Sequence, residues 1–110
     1  MVYDEGLAAR IRAVVEGEPG LTEQRMFGGL AFLVGGHLAA SASSRGGMLL
    51  RVDPARTEEL LDPPDVDRFE MRGRGMDGWL HVLPGAVADD EALAAWVGLG
   101  VGHARSLPPR

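Results

Sequence analysis

The chain contains no cysteine. Disulfides, thiolate nucleophiles and cysteine-ligated zinc or iron–sulfur centres are excluded with it. A domain without disulfides suits a reducing compartment, so a cytoplasmic location is expected. Lysine is missing too: all 11 basic residues are arginine. Schiff-base chemistry and the phosphate-binding lysine of a P-loop are excluded in turn. No apolar run of about 18 residues exists, so no membrane-spanning helix is expected. The opening MVYDEGLAARIRAVVEGEPG carries Asp4, Glu5, Arg10 and Arg12 among its apolar positions and has no core of signal-peptide type. Positive charge is also short, with a net of −5. Residues 1–55 hold five Arg against six acids, and residues 56–110 hold six against ten. Direct nucleic-acid binding draws most of its affinity from clustered basic residues, so none is expected.

Catalytic patterns are absent as well. His37, His81 and His103 show neither H-x-x-x-H nor H-E-x-x-H spacing. No metal or other cofactor is therefore expected. Ser41, Ser43 and Ser44 share a loop without the G-x-S-x-G context, and Thr22 and Thr57 stand alone. The acid pairs Glu58-Glu59 and Asp89-Asp90 are consecutive, so neither pair shares one helix face. No catalytic residue can be named, and a non-enzymatic protein is expected.

What is present specifies a fold. The 110 residues suggest one domain over 1–110, burying roughly 65% of its unfolded surface. Leu7, Ala8, Ile11, Val14 and Val15 make one apolar stripe of a first helix, which Asp4 can cap and Tyr3 can staple. Leu21 to Phe27, Leu30 to Val34 and His37 to Ser43 read as strands. Between them lie two glycine pairs, Gly28-Gly29 and Gly35-Gly36. No helix start follows either pair, and GGLAFLVGG matches no phosphate-binding pattern, so both read as turns. A Gly-Gly loop favours a type I′ hairpin turn. With Gly35-Gly36 as that turn, Val34 faces His37, Leu33 faces Leu38, Phe32 faces Ala39 and Ala31 faces Ala40. Gly28-Gly29 would close the preceding hairpin, or form a bulge with Phe27 anchored in the core.

This hairpin is apolar on both faces. Either helices or chain ends cover both, or the second face meets a partner or another copy. SASSRGG reads as a loop and Met48 to Val52 as a fourth strand. Asp53-Pro54 opens a short helix that turns Leu60 and Leu61 inward. Arg68 to Arg72 is a fifth strand, GRGMDG a turn, and Trp79 to Leu83 a sixth strand. A last helix starts at Asp89-Asp90-Glu91, with Leu93, Trp96, Val97, Val101, Ala104 and Leu107 as its stripe. Gly98, Gly100 and Gly102 interrupt it, so its second half either frays or is held by packing. The fold class is α+β: an antiparallel sheet of five to six strands with helices packed on it, in the order α-β-β-β-β-α-β-β-α.

Arg68, Arg72 and Arg74 lie close in sequence, with Arg25 and Arg51 on other strands. They form either an anion-binding patch or ordinary ion pairs with Asp65, Asp67, Glu70 and Asp77.

The segments YDEGLAARIRAVV, RMFGGLAFLVGG, MLLRV, GRGMDGWLHV and DDEALAAWV…ARSLPP, in this order, resemble the N-terminal domain of the TfoX/Sxy family. The resemblance covers nearly the whole chain, and RMFGG before an apolar hairpin is its most specific part. It implies an α+β fold with helices on an antiparallel sheet. In better-known members this domain precedes a helical C-terminal domain, and those proteins regulate natural competence together with a global transcription activator. No such second domain is expected within these 110 residues, so a competence role is not inherited with the fold. The chain departs from the pattern at Gly35-Gly36-His37, where relatives often carry Asn-Gly. It also has Ala40 near a frequent Cys and Asp77 near a frequent Lys. The family supplies no catalytic residues.

The expected function is a small regulatory module that binds protein, such as transcription machinery or a second copy, through its sheet face. The candidate contact residues are Arg25, Phe27, Phe32, Arg51, Arg72 and Trp79. The alternative is a small-ligand or anion site built on the Arg cluster beside Met26, Met71, Met76 and Trp79.

Overall fold

A computed structural model describes residues 3–62, 64–71 and 73–109. Its elements are α1 (Glu5–Val15), β1 (Leu21–Met26), β2 (Gly29–Val34), β3 (His37–Ala42), β4 (Met48–Arg51), α2 (Thr57–Leu60), β5 (Val66–Met71), β6 (Arg74–Val82) and α3 (Asp90–Ser106). Short 3-10 turns at Pro54–Arg56 and Pro84–Val87 lead into α2 and α3. The six strands form one sheet in the order β1-β2-β3-β4-β6-β5, and every neighbouring pair is antiparallel. The expected element order and α+β class are both observed. β6 lies between β4 and β5, so those two strands run parallel without touching. It begins at Arg74, so most of GRGMDG, expected as a turn, is strand.

α1 and α3 cover one face. Leu7, Ala8, Ile11 and Val15 turn inward at helical spacing, and Asp4 Oδ1 accepts the Leu7 N–H at 3.1 Å. Val14, expected in that stripe, is 37% exposed. It lies at the margin of a stripe that drifts around the helix. α3 contributes Leu93, Val97, Val101 and Ala104 against Phe32, Leu50, Leu80 and Val82 of the sheet. Burying such side chains contributes roughly 1.5–3 kcal/mol each. Ion pairs tie the helices to the rest: Arg10 to Asp90 at 3.0 Å, Arg12 to Glu23 at 2.7 Å, and Arg105 to Glu18.

α3 is unbroken through its three glycines because packing holds it. Gly100 lies directly on β3, where a Cβ would sit 2.2 Å from the Ala39 carbonyl oxygen. At that point β3 carries an extra residue. The register runs Val34↔His37 and Leu33↔Leu38 as expected, then Phe32↔Ala40 and Ala31↔Ser41. Ala39 is the bulge, and the expected pairings beyond Leu38 are each off by one.

Gly35 and Gly36 do form the hairpin turn, at φ 62° and 84°. The preceding turn uses Phe27 and Gly28, at φ 53° and 77°, rather than Gly28-Gly29. Gly29 belongs to β2 because a Cβ there would lie 2.1 Å from the Ala42 carbonyl oxygen.

Candidate functional site

The face opposite the helices carries its own apolar cluster of Ala31, Leu33, Leu38, Leu49 and Phe69, each at most 7% exposed. Met26, Met76 and Trp79 pack on it half-buried. Among the described residues no helix lies there; the sheet covers itself. Bulges in β2/β3 and β5/β6 bend it, and it curls until its two end hairpins meet. Phe27, at the tip of the first hairpin, reaches Phe69 at 6.2 Å and Trp79 at 6.3 Å between ring centroids. The curled face is a shallow cup. A cavity of about 250 Å³ sits in it, lined by Met26, Phe27, Ser41, Ser43, Arg45, Leu49 and Phe69 among others.

The bend in β6 has an identifiable support. Gly78 takes φ 83°, its N–H donates to Thr57 Oγ1 at 2.7 Å, and its carbonyl accepts from Val52 N–H at 2.8 Å. Thr57, 2% exposed, donates onward to the Pro54 carbonyl at 2.7 Å. One hydroxyl thus satisfies both the bulge and the turn before α2.

Phe27 is the least expected residue in the cup. A bulky side chain in the left-handed region costs roughly 1–2 kcal/mol, and this one is also 47% exposed. Ser44 Oγ donates to its carbonyl at 3.0 Å and holds the turn. Two guanidinium groups frame the rings. Arg45 stands 4.6 Å above Phe69 and donates to the Glu70 carbonyl at 2.7 Å, while Arg51 stands 5.2 Å above Trp79. Among the described residues neither makes an ion pair with a carboxylate, although Arg10, Arg12, Arg56, Arg68 and Arg105 all do.

Of the candidate contacts, Phe27, Arg51 and Trp79 come together at this cup. Phe32 does not: it is fully buried on the helix face, with the Arg12 guanidinium 5.8 Å from its ring. Arg25 pairs with Leu30 on the helix-facing side of β1, opposite Arg51. The Arg cluster is therefore split between two faces, and Arg68 is engaged by Asp77 at 2.9 Å and by Glu58. Arg72 and the side chain of Met71 lie outside the described residues. Arg45 and Phe69 were missed: one sits in a loop that reads as solvated, the other is a lone aromatic in a charged strand.

Of the histidines, His81 shares the cup face opposite Leu49. His81 donates to the Gly46 carbonyl at 2.7 Å, and His37 to the Pro108 carbonyl at 2.6 Å. Burial, and then the Arg51 guanidinium, hold the His103 imidazole below its usual range. Among the described residues no three His, Asp or Glu side chains converge as a metal site requires. No helix among them is long and apolar enough to cross a membrane.

The sequence profile described as the TfoX N-terminal domain matches residues 14–104. The chain belongs to this family. In this TfoX N-terminal domain the matched span runs from within α1 to the last turns of α3, so it takes in both the cup and the helix face. No curated protein and no solved structure gives a significant match.

Proposed function

We propose that this TfoX N-terminal domain is a non-enzymatic regulatory module of the cytoplasm that meets a protein partner through the rim of the cup. The observation that carries the reading is Phe27, held half-exposed in a strained conformation beside Phe69, Trp79, Arg45 and Arg51. Backbone strain concentrates at functional positions. Aromatic and arginine side chains dominate the energetics of protein interfaces, and these two arginines have cationic surface to offer an acidic partner. The regulatory part of the reading, with its setting in competence and transcription, rests on the family resemblance.

The cavity size favours a side-chain anchor over a metabolite. Small-molecule sites run from about 300 to 1,000 Å³, and this one holds about 250 Å³. A small amphiphilic anion with its carboxylate on Arg45 is the second reading, supported by that same cavity.

The test is site-specific photocrosslinking in the native cytosol, with the probe at position 27 and, as control, at the exposed Val14. A discrete protein adduct from position 27 alone, lost in Trp79→Ala, is the expected result. Equal labelling from both positions would sink the reading. A thermal shift induced by aromatic or aliphatic carboxylates, without any adduct, would favour the second one.

A further inference from the structure

The sheet has two edges, and they are built differently. At the start of β5 the chain folds back, and Asp62 and Val66 exchange two N–H···O bonds of 3.0 Å. Further along, the β5/β6 ladder is interrupted between Arg68 and Glu70, where β6 carries the extra residues. A chain reversal and a broken ladder of this kind blunt an edge. β1 has no such guard. It is six regular residues, LTEQRM, with no proline, no lysine and no bulge, and Thr22 to Arg25 are all exposed.

Which groups β1 offers follows from its turn. A two-residue hairpin makes its flanking residues, Met26 and Gly29, a hydrogen-bonded pair. Alternation then bonds Gln24 to Ala31 and Thr22 to Leu33 across the ladder. Glu23 and Arg25 point their N–H and C=O groups away from the sheet. Among the described residues, no backbone hydrogen bond from outside the sheet reaches either of them.

We propose that β1 is a self-pairing edge. Two copies dock β1 against β1, antiparallel, about a twofold axis through Gln24, and so join two six-stranded sheets. In that register Glu23, whose carboxylate also holds Arg12 of its own chain at 2.7 Å, faces the partner's Arg25, and Arg25 faces the partner's Glu23. These are the residues whose backbone groups point outward, so the same two pairs carry four ladder bonds. Opposite charges directly across a ladder are favourable. A shift of two residues either way would place Glu23 on Glu23 or Arg25 on Arg25, which is unfavourable. The charge pattern thus selects one register, and the contact is isologous and closed. This interface adjoins the rim of the cup, since Met26 ends β1 and also lines the cavity, but its register is set by Glu23 and Arg25 and does not depend on a partner bound there.

The test is sedimentation equilibrium from micromolar concentrations to about 1 mM, since four ladder bonds give only weak association. The wild-type mass should rise toward twice the monomer. Arg25→Pro removes an outward N–H and no internal ladder bond. It should weaken association at least about tenfold and leave the circular dichroism melt near wild type. Arg25→Glu and Glu23→Arg should each remain monomeric alone, and their equimolar mixture should form the heterodimer. The mixing arm decides the matter even if the proline variant folds poorly. A wild-type monomer throughout the range would overturn the proposal, as would a dimer that survives Arg25→Glu, or two charge variants that fail to associate when mixed.

Discussion

Gly100→Ala should destabilise the protein, whereas the same change two residues to either side should not. An added Cβ at position 100 would lie 2.2 Å from the Ala39 carbonyl oxygen and 2.8 Å from Leu50 Cδ1. The leucine methyl can rotate away. The bulge carbonyl can move only with β3 or α3. Overpacking of a core costs roughly 1–3 kcal/mol, and a clash between backbones belongs at the upper end. Against this, alanine improves on glycine in a helix interior by about 1 kcal/mol. The net expectation is a loss of about 2 kcal/mol. Gly98 and Gly102 have the same helical propensity, but a Cβ at either meets nothing within 4 Å. Alanine there should gain up to about 1 kcal/mol. In a domain near this size 1 kcal/mol moves the melting temperature by about 4–8 °C, so Gly100→Ala should melt about 8–16 °C lower. Thermal unfolding followed by far-ultraviolet circular dichroism reads all three variants. A Gly100→Ala protein as stable as wild type, or three variants shifting together, would refute the reasoning.

Three further outcomes are expected. Thr57→Val should cost about 1–3 kcal/mol in chemical denaturation by orphaning the buried Gly78 N–H, while Thr57→Ser should recover most of it. Phe27→Gly should stay within about 1 kcal/mol of wild type, because relief of left-handed strain offsets the lost ring contacts; Phe69→Ala, from a position only 4% exposed, should cost about 3–5 kcal/mol. The folded-state pKa of His103 lies below its unfolded value of about 6.5. Its contribution to stability is therefore complete above about pH 6.5 and is lost as the pH falls through the lowered folded value; the drop measured by denaturant titration across that window should shrink in His103→Gln.

The sequence was legible where local chemistry decides. Asp4 and Asp89 cap their helices through side-chain oxygens, as acids before apolar stripes should. Gly35-Gly36 makes its turn and fixes the register as far as Leu38. Legibility ended where another element dictates the backbone. The bulge at Ala39 sits beneath Gly100, 61 residues further on, and no pattern within the hairpin signals it. Gly29 looked like half of a turn, but the carbonyl of Ala42 keeps it in the strand and forces Phe27 into the turn instead. The doubly apolar hairpin was recognised correctly, but its cover was not. A sheet that curls onto its own second face leaves no helix-like signature in the sequence. The candidate site was half legible for the same reason. Trp79 and Arg51 lie opposite each other on neighbouring strands, and the spacing of strands suggests as much. Arg45 joins them only through a loop whose composition says solvent.

The position of α3 also bears on how the protein is made. It follows all six strands in sequence, yet it packs across β3 and β4, in the middle of the sheet. During synthesis all six strands leave the ribosome before the surface that covers Phe32, Leu50 and Leu80 exists. Until residue 106 has emerged, the nascent chain presents an apolar sheet face and an unguarded first strand together. These are the features that recruit chaperones and seed misassembly. Closure of the helix face thus waits for α3, and a chain interrupted before residue 90 would leave Leu50 and Leu80 without that cover.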